Sequence, residues 1–282
     1  MFNFFFGSDS RSIEYLNIVK NNNDQLRVIT LPPNVSGRGR KLKQNPVEIF
    51  CLQNNIPYDY FDPDSVYKNM SNALCVSFGK IFSESFINNN GPIYNIHLSL
   101  LPAYRGPSPV ETSILMGEKL AGYSIFKIDK NIDAGNIVYQ DTFNIHQDTY
   151  ASDVYEKVLI LFNKSYDHIC GQLKKEIVVS NNSHSNTKKF RKNDYNILGQ
   201  DILTAKKMIR AFNVIGPAFI KHNERLFKIH EYTENENGFP IELSDGTLYP
   251  SIITPEGKNK MNIDDYLSCL LYTSPSPRDH WR

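Results

Sequence analysis

The sequence predicts an α/β domain with a largely parallel sheet, followed by a smaller, mostly β unit. Two observations carry this. Over roughly the first 180 residues, short apolar runs alternate with helical patterns, the order that builds a parallel sheet flanked by helices. After a polar stretch at 178–194 the pattern changes to paired strand-like runs around tight polar turns. The 282 residues are 40% apolar and 22% charged, ordinary for a globular protein. Net charge is +1, so charge alone does not mark a nucleic-acid binder, and any basic site must be local.

The elements read in order. "FNFFFG" is a buried strand meeting a turn at Gly7. "SRSIEYLNIVKNN" repeats Ile13, Leu16 and Val19 at a spacing that fits one helix face. "LRVITLP" is a second strand. "PNVSGRGRKLKQNPVE" is a polar, glycine-bearing loop too long for a simple connection. "EIFCLQNNIP" is a helix, and "NALCVSFGK", "PIYNIHLSLL" and "GYSIFKI" are strands. Beyond the polar stretch, "DILTAKKMIRAF" is an amphipathic helix. Strand pairs follow around "HNER" and around "SDG". The expected organisation is a first domain at 1–180, a linker at 181–194, a small β domain at 195–268 and a tail at 269–282. That tail, "CLLYTSPSPRDHWR", resembles a translated sequencing adapter and is expected to lie outside the fold; a natural disordered tail is the alternative.

Several classes are not supported. Cys51, Cys75, Cys170 and Cys269 form no C-x-x-C pair and read as free thiols. No run approaches the ~20 apolar residues of a membrane span, and no targeting leader is visible. Gly7 stands without a dinucleotide fingerprint, and the seven histidines show no metal-ligand spacing.

The chemistry concentrates in "NIHLSLLPAYRG". Asn95 and His97 sit two apart on a strand, so both face one way, near the strand end where α/β sheets bind ligands. An amide and an imidazole together suit a developing oxyanion. The same spacing also fits a satisfied buried histidine beside a turn asparagine. Asp133 in "IDAG" could approach His97 across the strand ends and favour its charged form, or make an ordinary Asx turn. Arg38, Arg40, Lys41 and Lys43 cluster in the long loop, which fits either RNA contact or a solvated surface. "KKFRK", Lys188 to Lys192, fits a phosphate track or a soluble linker.

Taken together, "NIHLSLLPAYRGPSPVETSILMGE" and "GYSIFKIDKNIDAGNIVYQDT" resemble the core of the tetrahydrofolate-dependent formyltransferases. The family's Asn-x-His strand end, S-L-L-P turn and D-x-G aspartate match at Asn95, His97 and Asp133. "SGRGRKLKQNPVE" and the segments "LFKIHEY" and "DGTLYPSIITPEGKNKM" resemble the methionyl-tRNA formyltransferase branch, and a mitochondrial type within it. The resemblance implies a Rossmann-like formyltransferase domain and a small, reduced OB-like β-barrel. It implies a monomer that uses 10-formyltetrahydrofolate, without metal, to formylate initiator Met-tRNA.

By resemblance, Asn95 and His97 hold the formyl oxygen and Asp133 assists proton transfer. Ser77, Phe78, Gly79, Lys80 and Ile81 form one folate wall; Ser99, Leu100, Leu101 and Pro102 form part of the other. Arg38, Arg40, Lys41 and Lys43 contact tRNA. A sugar-nucleotide N-formyltransferase is the alternative, sharing the donor but not needing the basic loop. The chain departs from the family pattern at Leu98, Ala103 and "GSDSRS", and is expected to lack a hairpin between Tyr232 and Gly238. The compartment implied is the mitochondrial matrix for a eukaryotic source and the cytoplasm for a bacterial one.

Overall fold

The computed structural model describes every residue except 37–40, 176–184, 223, 236–238 and 274–282. In chain order the elements are β1 (Phe4–Phe6), α1 (Ile13–Asn22), β2 (Arg27–Thr30), β3 (Asn34–Ser36), β4 (Lys41–Lys43), α2 (Pro46–Gln53), β5 (Tyr58–Tyr60), β6 (Ala73–Cys75) and α3 (Glu84–Asn89). Then come β7 (Ile93–His97), α4 (Pro109–Met116), β8 (Leu120–Lys127), β9 (Ile137–Asn144) and α5 (Ala151–Gln172). The last elements are α6 (Ile202–Phe212), β10 (Ala218–His222), β11 (Arg225–Thr233), β12 (Ile241–Glu242), β13 (Thr247–Pro255), β14 (Met261–Asn262) and α7 (Ile263–Thr273). Two compact units result. One holds 1–109, 120–144 and 155–187; the other holds 110–119, 145–154 and 188–282.

The first unit is built on a seven-stranded sheet ordered β5-β2-β1-β6-β7-β8-β9. The strands from β5 to β7 run parallel, and β8 and β9 add antiparallel at the edge. The central strand β1 is buried on both faces, as parallel sheets covered by helices require. Its side chains alternate. Phe5 enters one apolar cluster with Leu74, Tyr94 and Ile96, while Phe4 and Phe6 enter another with Ala73, Cys75 and Ile93. Asn95 and His97 share the face of Ile93, where polar side chains end an apolar row.

Aromatic packing stiffens that second face. Phe78 and Phe82 stack at 5.5 Å, Phe82 and Phe86 at 5.2 Å, and Phe6 meets Phe82 edge-on at 5.2 Å. Each such ring contributes about 1.5–3 kcal/mol by burial, so the segment after β6 is anchored although it has no regular structure.

The long basic loop differs from its reading as an unpaired connection. Its two ends pair as the antiparallel strands β3 and β4, because alternating Val35 and Leu42 sit opposite each other; residues 37–40 between them lie outside the described ones. The strand then leads into α2, capped by Asn45, whose Oδ1 accepts the Glu48 N–H at 3.0 Å.

In the second unit, β10-β11-β13-β12 form an antiparallel sheet with β14 on β13. It is a half-barrel of the OB-like kind. Its inner row is Ala218, Ile220, Phe227, Ile229, Ile241, Leu248 and Ile253, all buried. The helix α6 is capped by Asp201, which accepts from Thr204 N at 2.8 Å, and buries Ala205, Met208, Ile209 and Phe212. The helix α7 runs to Thr273, so the stretch expected to stand outside the fold begins inside a helix.

Candidate active site

His97 ends β7 with only 6% of its surface exposed. Its Nε2 lies 2.8 Å from the backbone carbonyl of Tyr104. A carbonyl only accepts, so Nε2 carries the proton and donates it there. The other ring nitrogen, Nδ1, stands 3.6 Å from Asp133 Oδ2, farther than a direct hydrogen bond. Asp133 Oδ2 itself accepts the Gly106 N–H at 2.8 Å. Asp133 adopts φ +48 and Tyr104 φ +60, the left-handed region that few non-glycine residues enter. Both groups flanking His97 therefore rest on unusual backbone.

The turn after β7 is pinned to the edge strands by one buried hydroxyl. Ser124 Oγ donates to Ser99 O at 2.6 Å, and accepts from Leu101 N at 3.0 Å and from Gln140 Nε2 at 2.8 Å. Gln140 Nε2 also donates to Leu101 O at 3.0 Å. Ser99 Oγ closes the turn on Ala103 O at 2.6 Å. In register, His97 pairs with Ser124 and Asn95 with Phe126.

A cleft of about 210 Å³ opens beside the strand end. Cys75, Ser77 to Phe82 and Asn95 line one side, and Phe126 with Ile128 to Asp133 the other. Of the residues singled out in the sequence, Asn95, Asp133, Ser77, Phe78, Gly79, Lys80 and Ile81 reach this cleft. His97 and Ser99 to Pro102 do not line it. His97 stands behind Asp133, and Leu101 packs with Phe126 and Ile137. The opposite wall, Ile128 to Ile132, was missed from sequence. Its signal was the presence of two aliphatic residues, Ile128 and Ile132, in an otherwise polar loop.

The wall at 77–81 is held by backbone geometry and by one hydroxyl. Ser77 has φ +44 and Gly79 φ +79, and Ser8 Oγ donates to Phe78 O at 2.7 Å. Ile81 and Ile132 stand 77% and 62% exposed at the rim, an apolar pair without an internal partner surface. The Cys75 thiol is pushed up to about 12 by burial and then by the charge of Asp133, so it is held as the neutral thiol.

Of the basic candidates, Lys41 and Lys43 are not among the residues lining this cleft. Arg38 and Arg40 fall outside the described residues, and Lys41 lies in β4. Lys43 is exposed and lines a separate groove of about 500 Å³ with Ile13, Ile49 and Phe50. Lys188 pairs with Asp194 at 2.6 Å and lies over the Phe190 ring. Among the described residues no three of His, Cys, Asp and Glu gather as metal ligands, and no helix is long and apolar enough to cross a membrane.

Comparison with known proteins agrees with this architecture. The family model described as "Formyl transferase" matches residues 3–166. The chain is similar to the methionyl-tRNA formyltransferase of Borrelia duttonii, 32% identical over 242 residues, covering 79% of this chain and 77% of that one. It is also similar to the methionyl-tRNA formyltransferase of Wolbachia sp. subsp. Drosophila simulans, 27% identical over 289 residues, covering 94% and 95%. A solved N-formyltransferase from Helicobacter canadensis, in complex with folinic acid and dTDP-3-aminofucose, shares the fold with a TM-score of 0.64 at 22% identity, over 89% of this chain and 99% of its own. The family match takes in the whole first sheet, from β1 through β9, and with it the strand end and the aspartate loop: the chain belongs to the formyl transferase family.

Proposed function

We propose that this formyltransferase moves the formyl group of 10-formyltetrahydrofolate to the α-amine of methionine on initiator tRNA. The observation that carries this reading is the likeness to methionyl-tRNA formyltransferases over most of both chains, well beyond the 3–166 stretch. The site's geometry supports it. A flat, partly apolar ring system suits the cleft between the 77–81 backbone and the 128–132 loop, with Ile81 and Ile132 closing over its faces.

In the reaction, the neutral amine attacks the formyl carbon. Negative charge collects on the formyl oxygen, and the bond from carbon to the folate nitrogen then breaks while that nitrogen gains a proton. Asn95 reaches the cleft and donates to the oxygen from its amide. Asp133 is the group that touches both the cleft and the imidazole. It accepts a proton from the attacking amine, directly or through water, and passes it to the folate nitrogen as the carbon–nitrogen bond breaks, with Nδ1 of His97 standing 3.6 Å away. The Nε2–H is spent on Tyr104, which fixes the ring so that Nδ1 is the nitrogen available for transfer.

Arg38, Arg40, Lys41 and Lys43 form the contact to the acceptor end of the tRNA, as phosphate-binding cations. The protein acts as a monomer. The bacterial sources of its curated relatives favour a bacterial-type translation system, in a bacterial cytoplasm or a mitochondrial matrix.

A second reading rests on the fold shared with the Helicobacter canadensis enzyme: an amino-sugar nucleotide as acceptor. One experiment separates the two. The purified protein is offered 10-formyltetrahydrofolate with Met-tRNA and, in parallel, with a dTDP-amino sugar. Formyl-Met-tRNA alone is expected; formyl sugar with unchanged Met-tRNA overturns the proposal.

A further inference from the structure

We propose that Ser185 and Thr187, in the stretch that reads from sequence as linker, are positioning residues of the formyl-transfer centre. This rests on the roles given above to Asn95, His97 and Asp133. Both groups that hold the His97–Asp133 pair come from one short segment. Tyr104 supplies the carbonyl that takes the His97 Nε2–H at 2.8 Å. Gly106 supplies the N–H that binds Asp133 Oδ2 at 2.8 Å. Whatever fixes 104–106 therefore fixes both members of the pair.

The segment does not fix itself. Tyr104 has φ +60 and Gly106 φ +109, conformations that a free loop of this kind leaves readily. Residues 185–187 run beside it as a strap. Ser185 Oγ accepts from Tyr104 N at 2.8 Å, and Ser185 O accepts from Arg105 N at 2.8 Å. Thr187 N donates to Arg105 O at 2.6 Å, with Thr187 Oγ1 on the same oxygen at 3.1 Å. The same hydroxyl accepts from Ser108 N at 3.1 Å. A parallel bridge joins Arg105 and Asn186 between them. The fit is close: a methyl on Gly106 would come within 2.9 Å of Thr187 Oγ1 and 3.0 Å of Thr187 O.

The strap's hydrogen bonds given above run to Tyr104, Arg105 and Ser108, none of which lines the cleft, so its contribution lies in the placement of His97 and Asp133 and not in folate contact. A misplacement of about 1 Å at reacting groups costs on the order of a hundredfold in rate. Removing the two hydroxyls should therefore lower kcat while leaving folate affinity alone.

The test compares wild type, His97→Ala, Ser185→Ala/Thr187→Val and Thr187→Ser in single-turnover formyl transfer to Met-tRNA at saturating 10-formyltetrahydrofolate. Binding of 5-formyltetrahydrofolate is measured by calorimetry, and folding by thermal unfolding. The double variant is expected to lose about tenfold to a hundredfold in kcat, with folate Kd within about twofold of wild type, and Thr187→Ser to restore most of the rate. Should the double variant fold poorly, Gly106→Ala perturbs the same contact from the other side and is expected to show the same split. A double variant that turns over like wild type overturns the strap's role while His97→Ala remains impaired. Equal losses in Thr187→Ser and the double variant, or a folate Kd that rises in step with the fall in kcat, overturn it as well. If wild type does not formylate Met-tRNA, or His97→Ala matches it, the underlying reading fails and takes this inference with it.

Discussion

The backbone carbonyl of Tyr104 accepts the Nε2–H of His97 at 2.8 Å while Tyr104 itself sits at φ +60. The carbonyl belongs to any residue, but the backbone angle does not. Tyr104→Gly should keep the carbonyl in place and retain most activity. Tyr104→Val should lower stability and turnover, because a β-branched side chain fits the left-handed region worse than the tyrosine already there. His97→Ala should lose formyl transfer by about a hundredfold or more, as removal of a positioned proton-transfer group does, with folate binding preserved. Steady-state kinetics alongside urea unfolding checks all three; near-normal turnover of His97→Ala would sink the mechanism.

Ser124 has no exposed surface and its hydroxyl serves two strands and a turn. Ser124→Ala leaves the Leu101 N–H without its acceptor in a buried place. A loss of about 1–3 kcal/mol in stability is expected, measured by urea unfolding. Ser124→Thr keeps the hydroxyl but adds a methyl in a filled space, and should be destabilising by packing instead.

At the cleft rim, Ile81 and Ile132 are mostly exposed and gain little from burial in the folded protein. Truncating both to Ala should leave the melting temperature unchanged and weaken 5-formyltetrahydrofolate binding by roughly tenfold, the scale of partly covering two aliphatic side chains. Unaltered affinity, read by calorimetry, would move the ring system away from this rim.

Arg38→Ala should lower kcat/KM for Met-tRNA and spare folate binding. The slope of log affinity for tRNA against log salt should fall by about one counterion, as loss of a single phosphate contact requires. The salt series distinguishes this from a catalytic effect, which would lower the rate equally at every salt concentration.

Asp201 caps α6 by accepting from Thr204 N and Oγ1, and these bonds hold its carboxyl below the ordinary 3.8. A depressed carboxyl contributes stability above the unfolded value and loses it as pH falls through the folded one. Asp201→Ala should therefore melt lower than wild type at pH 7, and the difference should close as the pH drops below about 4. A gap that persists in acid would assign the cap's effect to something other than the charge.

Much of the fold was legible because its elements announce themselves locally. The phenylalanine run of β1 reads as a doubly buried strand, and the spacing of α6 reads as one wet and one dry face. What stayed hidden depends on distant partners. The strand β5, Tyr58–Tyr60, is short, polar and at the sheet edge, so no apolar alternation marks it. That β8 runs against β7 is set by the connection between them, not by any residue pattern in "GYSIFKI". Asn95 and His97 stood out as polar groups interrupting an apolar row, but it was the resemblance to the formyltransferases that joined Asp133 to them. The turn at Ser99 to Pro102 was read as a cleft wall from the resemblance; that Ser124 and Gln140 bind it to the edge strands was hidden, because both pass for ordinary strand alternation. The segment 185–187 was harder still. Its two hydroxyls bind backbone groups of 104–108, which every sequence has, across about 80 residues of chain.

That strap also bears on where the molecule can be cut. The family match ends at residue 166, and a chimera joined there or at 175 would import a foreign segment against Tyr104, Arg105 and Gly106. Recombinants that exchange the downstream portion among relatives should keep activity when the crossover falls after Thr187, and lose it when it falls before Ser185, although the alignable catalytic core is identical in both.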